Sequence, residues 1–82
     1  VAWHDSVANT INICVNNGAV DSTSYSTGVK DSTATFDLGA RGTGSDFLNG
    51  LIDEVGFWKK VLTAAEITYL YNSGTGRTCC PF

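Results

Sequence analysis

Residues 10 to 16, Thr-Ile-Asn-Ile-Cys-Val-Asn, alternate without a break and run directly into Asn17-Gly18, the dipeptide best able to take the positive φ angles of a type I′ turn. A side-chain period of two predicts a half-buried strand, with Ile11, Ile13 and Val15 on one face and Thr10, Asn12, Cys14 and Asn16 on the other. The turn dipeptide then predicts that the chain comes back from Ala19 onward as the paired strand. A β-hairpin is the local unit on which any fold of this chain must be built.

The rest of the composition suits that unit. Of the 82 residues 43% are hydrophobic and only 16% charged, with nine Gly, one Pro and a heavy Ser/Thr load, which favours strands and turns over a helical bundle. A chain this short forms one domain, leaves much of its surface in water, and is expected to draw stability from a disulfide, a bound ion or a neighbouring subunit. The net charge of −3, with the five Lys and Arg scattered, provides no basic stripe for nucleic acid. No apolar run approaches the ~18 residues of a membrane span. The first residue is Val1, not Met, and lies in what reads as strand, so the chain is read as a processed product or a piece of a longer polypeptide.

Three cysteines, Cys14, Cys79 and Cys80, match no metal-binding spacing. Neighbouring cysteines rarely bond to each other, because their Cβ atoms are poorly placed for it. The readings are a bridge from Cys14 to one of the pair, or buried unreactive thiols.

Further along, Ser, Thr and Asp dominate residues 21 to 35, and Ala34 to Leu38 reads as a short strand stopped by Gly39. Residues 39 to 46 are glycine-rich but lack the Gly-Lys-Ser/Thr ending of a phosphate loop, so they read as a plain connection. Phe47 to Trp58 is the longest strand candidate and, with apolar groups on both faces, is expected to be central. Thr63-Ala-Ala-Glu66 is a capping box, flanked by Leu62 and Ile67 at the positions of a hydrophobic staple. It starts a helix of about two turns that presents Ile67, Leu70 and Tyr71 on one face and stops at Asn72-Ser73-Gly74. The tail from Thr75 to Phe82 is a last strand or an arm, and Pro81 confines any strand there to an edge.

Phe47-Leu-Asn-Gly-Leu-Ile-Asp-Glu-Val-Gly-Phe-Trp58, followed by Val61-Leu-Thr-Ala-Ala-Glu-Ile67 and Leu70-Tyr71, resembles the closing signature of laminin-G-like (concanavalin-A-like) jelly rolls, a strand that leads through a short turn into a helix. Val1-Ala-Trp-His-Asp5 and Ile11 to Gly18 resemble two earlier strands of that family. The resemblance implies an all-β fold, an antiparallel β-sandwich or partial jelly roll with one short α-helix near the C-terminus. Residues 1–82 then form a single laminin-G-like domain without its N-terminal strands, exposing unpaired edges and an uncovered apolar face.

Within that frame Asp53 stands out, because alternation puts its carboxylate on the face of Val55 and Phe57, where a charge must be paired, hydrogen-bonded or ligated. It is either a structural acceptor of backbone amides or, as the resemblance allows, a calcium ligand, with Asp5, Asp37 and Asp46 as further oxygen donors if the fold gathers them. Asp53 and Glu54 are adjacent, so on a strand they face opposite ways and do not form the facing carboxylates of glycoside hydrolysis. His4 has no nucleophile in a recognisable motif, and no catalytic residue is expected. Trp58 and Tyr71 occupy family signature positions and are expected in the core. Tyr25, in the polar segment, is the aromatic expected to be exposed and placed to stack on a sugar ring. The Ser22–Thr35 segment holds no Asn-x-Ser/Thr sequon and reads as a solvated loop or a carrier of O-linked glycans.

The functional expectation is a non-catalytic extracellular structural or adhesive module, a homo-oligomer or polymer joined through unpaired strands, with a carbohydrate-binding module of a larger secreted protein as the alternative.

Overall fold

The hairpin turn forms one residue earlier than its dipeptide suggests. In the computed structural model, which describes residues 1–42 and 44–78, Asn16 and Asn17 take φ angles of 51° and 55°, and Gly18 N donates to Val15 O at 2.9 Å. The positive-φ pair of the tight turn is therefore Asn16-Asn17. Asparagine is the residue besides glycine that most readily enters the left-handed region, so two in succession satisfy a type I′ turn.

The turn joins strand β2 (Thr10–Cys14) to β3 (Val20–Ser24), and β1 (Ala2–Asp5) pairs with the other side of β2. Both pairings are antiparallel: Trp3 lies opposite Asn12, which lies opposite Ser22, and Ile13 lies between Ala2 and Asp21. The β1–β2 connection is closed by the Asp5 side chain, whose Oδ1 accepts from Val7 N at 2.9 Å and Ala8 N at 3.0 Å, followed by Asn9 at positive φ.

Helix α1 (Ala64–Tyr71) starts as its sequence predicts. Thr63 Oγ1 accepts from Glu66 N at 3.2 Å, and Glu66 Oε2 accepts from Thr63 N at 3.1 Å, which completes the capping box. Asn72 ends the helix in the left-handed conformation, its amide donating to Thr68 O. Arg77 folds back over the last turn: Nε donates to Tyr69 O at 2.8 Å, and the guanidinium sits 3.9 Å from the Tyr69 ring centroid.

The helix docks on the sheet through a small core. Cys14, Leu62 and Ile67 are buried, with Trp3, Trp58 and Leu70 packed around them. Leu62 and Ile67 flank the capping box at the two staple positions, so one pair of side chains sets both the entry angle of the helix and its contact with β2. Thr68 Oγ1 adds a hydrogen bond to Asn17 Oδ1 at 3.1 Å, tying helix to hairpin turn.

Two expectations need correction. The half-buried strand is present, but the covered face carries Trp3, Asn12 and Cys14, whereas Ile11, Ile13 and Val15 are 43%, 48% and 64% exposed. Alternation distinguishes two faces without saying which one a distant helix will cover. Phe47–Trp58 and Ala34–Leu38, moreover, form no strand. Between β3 and α1 the isolated bridge of Arg41 with Ser45 is the pairing found among the described residues, and Glu54 at φ 53° interrupts the extended run. A strand exists through its ladder, and among the described residues these segments have no neighbour to pair with. The coarse architecture is thus an open three-stranded antiparallel sheet with one short helix near the C-terminus. A sandwich is not formed among the described residues.

Magnitudes make the same point. The chain exposes 6781 Å², against ~4700 Å² for a compact monomer of its mass. Its radius of gyration is 14.4 Å, against about 12 Å for a globular domain of this length. Leu51, Phe57, Phe36 and Phe47 are 98%, 82%, 78% and 72% exposed.

Candidate interaction surface

The sheet presents three surfaces with different chemistry. Its covered face borders a hollow of about 1050 Å³, reached by Trp3, Trp58, Leu62 and Tyr71. The hollow is open to solvent, bordered by the sheet, the helix and the segment from Asp53 to Val61, so these elements leave between them a space that they do not fill. Gly56 lies against the Trp58 ring on the border of this hollow.

The opposite face is a shallow apolar tract, with Ile11 and Ile13 in the middle, Ala2 and His4 on β1, and Asp21 and Thr23 on β3. His4 is half-buried at its rim. Its ring meets Tyr25 edge-on at a centroid distance of 6.1 Å, and its Nε2 is shielded from water with no hydrogen-bond partner among the described residues.

The third surface is the outer edge of β3, whose five residues are all exposed. Tyr25 N donates to Asn9 O at 2.7 Å just beyond the strand. Antiparallel hydrogen bonding alternates residue by residue, so the backbone groups of Thr23 and Asp21 also point to β2, while those of Val20, Ser22 and Ser24 point outward. The turn dipeptide predicted this return strand from Ala19 onward, and the structure forms it from Val20 to Ser24; that its outer edge stays open is a tertiary fact that the polar run Asp21 to Ser24 did not announce.

The residues singled out in the sequence are dispersed. Tyr25 is 39% exposed and lies directly after β3. Asp53 is exposed, its Oδ1 accepting from Glu54 N at 2.9 Å. Asp5 is occupied by Val7 and Ala8, Asp37 Oδ2 accepts from Gly42 N at 2.8 Å, and Asp46 Oδ2 lies 3.4 Å from Arg41. Each carboxylate serves its own stretch of chain, and among the described residues no group of three or more His, Cys, Asp or Glu side chains is placed to hold a metal ion. Cys14 is buried and its thiol donates to Gly18 O at 3.3 Å; Cys79 and Cys80, its expected partners, lie outside the described residues. In the Ser22–Thr35 segment, Ser22, Thr23 and Ser24 belong to β3, and the remainder lies outside any helix or strand and is exposed except for the half-buried Gly28.

Glu66 is the titrating group whose environment shifts it. The Lys60 ammonium donates to Glu66 Oε1 at 2.7 Å and is the main cause that holds the carboxyl below its ordinary value; desolvation opposes it, and the Thr63 amide adds to the lowering. Among the described residues no helix is long and apolar enough to cross a membrane.

The family profile described as the concanavalin A-like lectin/glucanases superfamily, of laminin-G type, matches residues 1–68. No curated protein and no solved structure matches the chain. The matched region contains the whole sheet, the capping box and the first turns of α1, and ends before the Asn72 cap.

Proposed function

The chain belongs to the concanavalin A-like lectin/glucanases superfamily, and from that membership we propose that it is a non-catalytic structural or adhesive module which self-associates through unpaired strands into an oligomer, coat or fibre. The observation that carries this reading is the surface excess: 6781 Å² exposed, about 2000 Å² beyond a compact chain of this mass. A stable protein–protein interface takes roughly 800 Å² from each partner. Laminin-G-like domains are typically extracellular, which supports an extracellular location for this module. Sedimentation velocity over a range of protein concentrations tests the reading: concentration-dependent assembly is expected, and a monomer throughout would sink it.

Carbohydrate binding is the second reading, favoured by the lectins in the family's description and by the position of Tyr25, partly exposed just past the end of β3. An aromatic ring of that kind stacks on a sugar face with its hydroxyl in water. A glycan array probed with and without added calcium, and repeated with Tyr25→Ala, tests it. Binding insensitive to Tyr25, or no binding in either condition, removes its support.

A further inference from the structure

Resting on the reading that the chain self-associates through unpaired strands, we propose that β3 pairs antiparallel with β3 of a second copy of this chain, about a two-fold axis through Ser22, to make one continuous six-stranded sheet.

Of the two sheet edges, β3 is the open one. Every residue from Val20 to Ser24 is exposed, whereas β1 is half-covered from Trp3 to Asp5 and borders the hollow beside the segment that carries Trp58. Proteins usually protect a bare edge with Lys, Pro, a bulge or a covering loop. The segment Val-Asp-Ser-Thr-Ser contains no Lys and no Pro, and its register with β2 runs unbroken from Val20 to Ser24.

The edge is also complementary to itself. Its outward backbone groups belong to Val20, Ser22 and Ser24, an odd set centred on Ser22. A two-fold axis there sets Ser22 against Ser22 of the second copy as a hydrogen-bonded pair, and Val20 against Ser24. The one charge in the strand, Asp21, then falls opposite Thr23 of the second copy, so like charges do not meet. Because Asp21 and Thr23 share the face of Ile11 and Ile13, the pairing puts the two isoleucine tracts on the same face of one continuous sheet, with the Asp21 and Thr23 side chains between them.

The register makes charge exchange at one exposed position the test. Thr23→Asp sets a new carboxylate against Asp21 of the second copy twice per dimer, and Thr23→Lys sets an ammonium against it twice. With each directly opposed pair contributing a few tenths to one kcal/mol, the dimer constant of the 82-residue chain should weaken and tighten respectively by about tenfold. Sedimentation equilibrium reads the constants, and circular dichroism verifies that each variant folds as the parent does. As an independent probe, Ser22→Cys under mild oxidation should give a covalent dimer, and mass spectrometry should find its disulfide joining position 22 of one copy to position 22 of the other. Assembly that ignores both charges and yields no such symmetric cross-link would overturn pairing through β3 while leaving self-association intact. A chain monomeric at every concentration would overturn both.

Discussion

Gly56 lies beneath the indole of Trp58 so closely that a Cβ at that position would come within 2.9 Å of Cζ2 and 3.0 Å of Cζ3. Trp58 in turn packs on the cluster of Cys14, Leu62 and Ile67, so a methyl group at residue 56 acts on the helix–sheet contact by moving a ring. Gly56→Ala is expected to destabilise the fold by ~1–3 kcal/mol, the usual cost of overpacking. Urea unfolding followed by tryptophan fluorescence measures it, and an unchanged midpoint would show that the ring has room to retreat.

Burial predicts opposite outcomes for two leucines of the same signature. Leu62 is 7% exposed and Leu51 is 98% exposed. Leu62→Ala should cost ~2–5 kcal/mol, enough to unfold a domain this small, and Leu51→Ala should stay within about 0.5 kcal/mol. Thermal unfolding of the two variants side by side decides it.

The capping box gives a third expectation. Thr63→Ala removes the acceptor for Glu66 N and should lower stability by about 1 kcal/mol, while Thr63→Ser should retain most of it. Far-ultraviolet circular dichroism during denaturation, read for the helical signal, is the measurement.

Glu66 makes stability depend on pH. Its carboxyl titrates below the ordinary glutamate value in the folded chain because Lys60 and the Thr63 amide favour the ionised form. A depressed folded-state pKa contributes stability that is fully present above the unfolded value and is lost as pH falls through the folded one. Melting temperature should therefore drop on acidification through and below the glutamate range, and Glu66→Gln should flatten that part of the curve. Equal slopes in parent and variant would place the acid sensitivity elsewhere.

How legible this fold was depended on the range of the interactions involved. Thr63, Glu66, Leu62 and Ile67 lie within six residues of one another, and their pattern predicted the helix start in full. The hairpin was equally local, and its error was one residue: Asn16-Asn17 takes the turn where Asn17-Gly18 was expected. Phe47 to Trp58 fared differently because its pattern matches a strand of a complete jelly roll, and a strand forms only where a neighbour offers hydrogen bonds. The isoleucine face went the same way: Cys14 was chosen over Ile13 by Leu62 and Ile67, some fifty residues downstream. Of the candidate sites, the dispersal of Asp5, Asp37, Asp46 and Asp53 is a tertiary fact that no spacing could reveal.

The contact of Cys14 with the helix works as a clasp on a long ring. Residues 26 to 61 leave the sheet and return to it with almost no pairing of their own among the described residues, and three buried side chains and the Thr68–Asn17 hydrogen bond hold the ring shut. Closure entropy rises only with the logarithm of loop length, so lengthening or shortening this stretch changes little. Ordering it changes much: whatever lends it hydrogen-bonding neighbours adds ladder and apolar burial together, and shifts most of the molecule's cohesion from the clasp to the ring.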